Sequence, residues 1–428
     1  METLKFNYKG TCGIDSNELF KESVRLNRIF TVINEATKTA YATDFASVNV
    51  PMDRNYIENS EKLANKFKDV SLLVLVGIGG SNLGTMALQE ALKLMPKIKI
   101  LYADTVDTDY LANIIALMEN ELKAKKNVVI NCVTKSGATT ESVANFLVLL
   151  NILKKYRKNY RDYVVVTTDK HSKLYFVAKK EEFHILELPA KLGGRYSVFS
   201  YVGLFPLVML GINIRKLVEG AKSMRKYCLI KDVMKNPAAL SALIMFLQYR
   251  RGKNIINTFL FSNELVGVGK WYNQLMAESL GKERDFLSRL VNAGFTPIYS
   301  IGSTDLHSMA QLYFGGPNDK VTTFVSFKKI KNKLIVPKNN EYTHLAKVQG
   351  KSLGFIMNAI LEGTKRAYAN KHLPYMSVEL PERSEYSLGQ FLQLKMFEII
   401  YLGYLMNVNP FDQPNVEEYK EEVRRLLK

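Results

Sequence analysis

Residues 71–95 read SLLVLVGIGGSNLGTMALQEALKLM, and their pattern decides the fold. SLLVLVG (71–77) is an unbroken apolar run, which predicts a strand buried on both faces. NLGTMALQEALKLM (82–95) carries apolar residues at helical spacing and predicts a helix. The rhythm continues with IKILYAD (98–104) as the next strand and a helical stretch to about residue 124. NVVINCV (127–133), a helix through about residue 157, and DYVVVTT (162–168) follow. Strongly β-branched runs alternating with amphipathic helices imply a parallel sheet covered on both faces. One doubly wound α/β unit is therefore expected over roughly 50–190.

The second half repeats this rhythm. NIINTFLF (254–261), PIYSIG (297–302), VTTFVSF (321–327) and YMSVEL (375–380) predict strands separated by helical segments. From Pro410 a loop leads into a charged helix, VEEYKEEVRRLLK (416–428). The expected organisation is an N-terminal segment with a first α/β domain over 1–195, a second over 196–405, and a C-terminal loop and helix over 406–428. No flexible linker marks the boundary near residue 190.

Composition narrows the function classes. The 428 residues include 59 Lys and Arg against 41 Asp and Glu, a net charge of +18. The excess is concentrated in segments such as KKYRKNYR (154–161) and KKIKNK (328–333), which read as solvated faces. No zinc-finger spacing, RNP-like strand or basic region running into heptads accompanies it, so no nucleic-acid partner is expected. A positive surface also attracts small anions such as phosphate esters. Cys12, Cys132 and Cys228 are too few and scattered for a disulfide framework or a zinc site, which suits a reducing compartment. METLKFNYKG has no apolar signal core and no lipidation motif. Residues 196–214, YSVFSYVGLFPLVMLGINI, approach the length of a membrane span but are diluted by Ser, Gly, Pro and Asn. They read instead as a buried core helix broken near Pro206. The expectation is a cytoplasmic enzyme with no membrane contact.

Several segments carry chemistry. GIGGSNLG (77–84) lies between strand and helix, where glycines let the backbone approach an anion at the helix start. A packing turn has the same composition. A dinucleotide fingerprint fails although Asp104 follows the second strand, because the required glycine at position 82 is Asn82. No Gly-Lys-Ser/Thr follows, so it is not a Walker loop either. TKSGATTES (134–142) supplies hydroxyls at Thr134, Ser136, Thr139 and Thr140 beside Lys135, a set suited to a phosphate monoester. The alternative is that Thr139 or Thr140 only caps the helix. Two such loops at the C-terminal ends of adjacent parallel strands make a joint case for ligand binding.

KLGGRYS (191–197) puts Arg195 after a glycine pair, either beside developing negative charge or on a surface turn. WYNQLMAESLGKE (271–283) sets Gln274 and Glu278 four residues apart on one helix face. Spacing alone reads Glu278 as solvated. In GSTDLHSMAQLYFGGP (302–317), His307 taken alone reads as a core histidine. NPFDQPNVEEYK (409–420) offers Gln413 and Lys420, with Pro410 and Pro414 bracketing a rigid turn.

Taken together and in this order, these segments resemble the phosphoglucose isomerase family from about Val70 to Lys420. KLGGRYSVFSYVG (191–203) is similar to the family's first signature region, and GYLMNVNPFDQPNVEEYK (403–420) to its second. The resemblance implies an α/β fold of two sugar-isomerase-type three-layer α/β/α domains with mainly parallel sheets, plus a C-terminal helical tail. It implies interconversion of glucose 6-phosphate and fructose 6-phosphate, in glycolysis and gluconeogenesis, with no cofactor and no metal.

Carried over by resemblance, Ser81 with Thr134, Lys135, Ser136 and Thr139 forms the phosphate site, and Gly80, Gly194, Gln274 and Gln413 are further substrate-binding positions. Glu278 matches the proton-shuttling glutamate, Arg195 the charge-stabilising arginine and Lys420 a lysine that assists ring opening. His307 matches a ring-opening histidine supplied by the partner subunit, which implies a homodimer. Glu141 occupies a position from which to orient His307. The chain departs from the family pattern at Thr134, where serine is common, and at Asn415, where glycine is usual. Asn tolerates left-handed backbone better than most residues. Two alternatives are a bifunctional glucose/mannose-6-phosphate isomerase and a non-catalytic sugar-phosphate-sensing module. A sensor needs only the phosphate loops.

Overall fold

The computed structural model describes residues 2–92, 98–345 and 347–427. The chain divides into two compact units, one of Thr31–Lys222 and one that combines Met1–Phe30 with Ser223–Lys428. The first strand, β1 (Lys5–Asn7), belongs to the second unit.

In the first unit, β2 (Val70–Val76), β3 (Lys99–Ala103), β4 (Asn127–Val133), β5 (Val164–Asp169) and β6 (His184–Leu188) form a parallel sheet. Its order is β3-β2-β4-β5-β6. The apolar runs fill both faces because successive strand residues point to opposite sides. Val74, Ile130 and Val166 pack with Met118, Phe146 and Leu149 of helices Thr108–Lys123 and Thr140–Tyr156. Leu73, Leu75 and Val129 are equally buried on the other face. The helix expected over 82–95 is present as Leu83–Leu92, and its residues 93–95 lie outside the described residues.

The 196–214 stretch yields a nine-residue helix, Tyr201–Met209, capped by the Ser200 hydroxyl and buried almost throughout. Pro206 lies inside this helix rather than at a break. It is the sixth helical residue, so the carbonyl it deprives of a partner lies in the first turn, where the cost is local. Among the described residues, no helix is long and apolar enough to cross a membrane.

In the second unit, β7 (Ile255–Leu260), β10 (Thr296–Ile301), β11 (Lys320–Lys329) and β12 (Tyr375–Glu382) run parallel, and β1 adds antiparallel to β12. The order is β1-β12-β11-β7-β10. A separate antiparallel hairpin joins β8 (Lys282–Arg284) to β9 (Leu290–Ala293). Helix Glu385–Leu405 is buried from Tyr386 to Gly403, as its lack of a polar face demands. The C-terminal helix, Val416–Leu426, buries nothing and instead places Glu417 and Glu418 in its first turn and Arg424 and Arg425 in its last. That arrangement complements the helix dipole.

The compact units depart from the sequence-based boundaries at both ends. Residues 196–222 stay with the first unit, where helix Tyr201–Met209 packs on β2 and on helices Asn55–Ala64 and Leu83–Leu92. The N-terminal residues join the second unit because β1 pairs with β12, and the tail over 406–428 belongs there too. Periodicity along the chain does not reveal such long-range pairings.

A buried charge cluster ties the second unit together. Glu398 is 1% exposed and bonds Lys395 Nζ at 3.0 Å, Ser241 Oγ at 2.5 Å and the Tyr272 hydroxyl. It thereby links helices Pro237–Arg250, Val266–Leu280 and Glu385–Leu405. The Lys395 ammonium also lies 4.6 Å from the centroid of the Tyr272 ring. Glu398→Ala strands a buried ammonium and is expected to cost about 3–5 kcal/mol, whereas Lys395→Met with Glu398→Leu costs less than that single change. Guanidinium denaturation midpoints of the three proteins check this ordering.

Candidate active site

Two groups of predicted residues emerge, one in each unit. In the first unit they lie on the loops that leave the C-terminal ends of β2, β4 and β6. After β2 the chain makes a 3-10 turn over Gly79–Ser81, and this turn meets a second one over Gly194–Tyr196. Gly80 has no room for a side chain, because a Cβ there would overlap the Gly194 carbonyl and the Arg195 nitrogen. Ser197 Oγ donates to Gly194 O at 2.6 Å within its own turn and lies 3.5 Å from Gly80 O across the junction. Arg195 is 3% exposed and its guanidinium lies 5.5 Å from the centroid of the Tyr196 ring. The surface-turn reading of this arginine is excluded.

Asn82 donates to Asp104 Oδ2 at 2.8 Å. The carboxylate that a dinucleotide fold would turn to a ribose is engaged in packing the loop. The glycine-rich turn thus serves close packing and leaves Gly80 and Ser81 at the sheet's edge.

The Thr134 loop is held from beneath by Thr168, whose hydroxyl donates to Thr134 O at 2.7 Å. Gly137 adopts φ of +63°, and a Cβ there would crowd Ser172 and Leu174 N, so this position requires glycine. Thr139 occupies the N-cap position of helix Thr140–Tyr156, but its side chain makes no capping bond. Its hydroxyl instead shares a 3.0 Å hydrogen bond with the buried Thr134 hydroxyl. The helix start is therefore left without a side-chain cap, which overturns the simple capping alternative for Thr139. Ser136 is exposed and Glu141 lies half-buried in the first helical turn. Burial pushes the Lys135 ammonium below the usual lysine range, against the pull of Asp169 and Asp44.

In the second unit, helix Val266–Leu280 carries Gln274 and Glu278, and Gln274 Nε2 donates to Glu278 Oε1 at 2.8 Å. Trp271, at 1% exposure, anchors the same helix in the core. His307 follows β10 and is exposed, its backbone N–H bonded to Thr304 O. The core-histidine reading taken from its sequence alone is wrong. Asp305 holds this loop by accepting from Ile301 N at 2.7 Å.

Gln413 is exposed on the turn before the final helix, and Lys420 pairs with Glu417 at 2.8 Å. Asn415 has φ of −68° and ψ of −18°, ordinary right-handed backbone. Its tolerance of left-handed conformations is not called upon. Its amide donates to Glu283 Oε2 at 3.1 Å, a bond that glycine could not make.

Sequence reasoning missed one residue at this end of the unit. Lys282 is nearly buried and bridges the Glu278 carbonyl to the turn at Asp412. Its only signal was its place four residues after Glu278. Among the described residues, no three His, Cys, Asp or Glu side chains are grouped to hold a metal.

Residues 53–428, which include every site residue named above, match the family model described as phosphoglucose isomerase. This chain belongs to the phosphoglucose isomerase family. It is 31% identical over 423 residues to a probable glucose-6-phosphate isomerase of Methanococcus maripaludis, covering 98% of this chain and 91% of the relative. It is 33% identical over 383 residues to a glucose-6-phosphate isomerase of Carboxydothermus hydrogenoformans, covering 86% and 81%. A crystal structure of a hypothetical protein from Thermus thermophilus is similar with a TM-score of 0.89 at 27% identity, covering 99% of this chain and 100% of that one.

Within this phosphoglucose isomerase family member, the glycines are not equivalent. Gly80→Ala must displace the turn carrying Arg195 and is expected to destabilise by about 1–3 kcal/mol. Gly363, inside helix Leu353–Asn370, has open space where a Cβ would sit, so Gly363→Ala should stabilise by about 0.5–1 kcal/mol. Thermal melts of the two variants should move in opposite directions.

Proposed function

We infer that this chain is an aldose–ketose isomerase that interconverts glucose 6-phosphate and fructose 6-phosphate. The observation that carries this reading is the family match over residues 53–428, a span that takes in both loops of the first unit and both Glu278 and Lys420. Roles for individual residues extend it as proposals.

The isomerisation moves hydrogen from C2 to C1 through an enediol-like intermediate. A single carboxylate on one face of the sugar removes the proton and returns it, so the chemistry calls for no redox cofactor. Glu278 takes this role, with Gln274 orienting its carboxylate. Arg195 offsets the negative charge of the intermediate, and its burial strengthens that interaction by excluding water. Thr134, Thr139, Ser81, Ser136 and Lys135 grip the phosphate at the uncapped helix start, with Gly80 and Gly194 allowing close approach. Binding energy spent there, away from the reacting carbons, positions them for proton transfer. Gln413 adds a ligand contact.

Ring opening needs a proton delivered to the ring oxygen and another removed from the C1 hydroxyl. His307 and Lys420 share that task. His307 is exposed on its own chain, which suits a residue completing the site of a second copy in a homodimer, with Glu141 orienting it there. Free, buried Cys12, Cys132 and Cys228 suit a cytoplasmic setting.

Glu278→Gln is expected to lower turnover of fructose 6-phosphate by about 10²–10⁴-fold in a coupled assay while sugar-phosphate binding persists. Co-expressing Glu278→Gln with His307→Ala should recover activity, because the mixed dimer contains one intact site. Full activity in the first variant, or no recovery in the mixture, would reject those roles.

The lowered Lys135 ammonium gives a signed pH dependence. The cation that attracts phosphate is fully present well below its depressed pKa and is lost as pH rises through it, earlier than for an ordinary lysine. Phosphate is dianionic above about pH 6, so its charge is constant over that alkaline window. KM for fructose 6-phosphate should rise on the alkaline side in the wild type, and Lys135→Met should flatten that rise.

A further inference from the structure

Helix Val266–Leu280 ends two residues after Glu278, where the last-turn carbonyls need partners from outside the helix. Gly281 N–H takes Ala277 O at 2.9 Å. The next carbonyl, that of Glu278, is taken by a side chain: Lys282 Nζ donates to it at 2.6 Å. A cation at this end also complements the helix dipole.

The same ammonium donates to Asp412 O at 2.8 Å and faces Asp412 Oδ1 at 3.5 Å. The Lys282 side chain is only 3% exposed, so these acceptors replace the water it lost on burial. Both ends of the link are themselves fixed. The Lys282 backbone is paired with Ala293 in the β8–β9 hairpin. The Asp412 turn is braced by Asn409, which donates to Asp412 Oδ2 at 2.8 Å and accepts from Phe411 N at 3.1 Å. Gln413 is the next residue along.

We propose that Lys282 is a positioning residue for the isomerase reaction, locking the last turn that carries Glu278 to the turn that carries Gln413 so that proton shuttle and ligand contact keep one spacing. This rests on the isomerase reading of Glu278. Lys282 touches neither substrate nor reacting atoms in this role. Its effect therefore falls on the proton-transfer step and spares the phosphate grip. A misplacement of about 1 Å at a reacting group costs on the order of 10²-fold in rate.

The experiment compares kcat and KM of wild type, Lys282→Met, Lys282→Ala with added ethylammonium, and Asp412→Ala, using the full chain and fructose 6-phosphate. Lys282→Met should lose about 10²-fold in kcat with KM changed by less than about threefold. Ethylammonium should restore part of the Lys282→Ala kcat by returning the charge to its three acceptors. Asp412→Ala keeps the lysine and its bonds to the Glu278 and Asp412 carbonyls but removes the carboxylate that faces Lys282 and accepts from Asn409, which loosens the turn; a smaller kcat loss with unchanged KM and unchanged melting temperature is expected. If Lys282→Met does not fold, Asp412→Ala decides, and wild-type kcat in that variant overturns the proposal. Wild-type kcat in a folded Lys282→Met variant, or a loss confined to KM, overturns it equally. An inactive wild type would instead reject the isomerase reading, and the proposal with it.

Discussion

A parallel strand between two layers of helices must bury both of its faces, and that constraint shapes each half of this protein. The apolar side chains of β2 and β4, and Val164–Val166 of β5, are buried. Two polar contacts run between neighbouring strands, Thr167 Oγ1 to Asn131 Oδ1 at 3.3 Å and Ser300 Oγ to Asn257 Oδ1 at 3.1 Å. Clusters of polar side chains are thereby left to the ends of the strands. The loops after β2, β4 and β10 carry Ser81, Thr134 and His307, and open parallel sheets bind at this carboxyl edge.

The edges hold their shape through two devices that cost stability if disturbed. One is close backbone approach, which Gly80 permits where its turn meets that of Gly194 and Arg195. The other is burial of charge with every partner supplied. Glu398 is surrounded by Lys395, Ser241 and Tyr272, and Lys282 by the carbonyls of Glu278 and Asp412. Tyr272 and Glu278 share one helix, so the two clusters grip it at different levels. Such networks specify a single arrangement because any shift leaves a buried charge without a partner.

Much of the fold was legible because strand burial writes itself into composition. NVVINCV became β4 with its bounds unchanged, and the strands after residues 254, 297, 321 and 375 appeared within a few residues of expectation. β1 and the β8–β9 hairpin were not legible. β1 has three residues and gains its partners from β12, hundreds of positions away, while the hairpin exposes Leu290 and Val291 and so lacks the apolar pattern of a buried strand. Individual site residues were read less well still. His307 in isolation pointed to the core and lies exposed, and Arg195 in isolation was as well explained by a surface turn as by the buried position it takes.

The sequence by itself determined the α/β class, the two phosphate-compatible loops, the failure of the dinucleotide fingerprint at Asn82 and the family, because each depends on neighbouring residues or on long ordered motifs. Only the tertiary structure decided that residues 196–222 stay with the first unit, that Thr139 bonds Thr134 instead of capping its helix, and that Lys282 joins the Glu278 turn to Asp412. Those outcomes turn on which groups water can still reach and which distant partner replaces it. A linear pattern records the residues that need partners but not the ones they find.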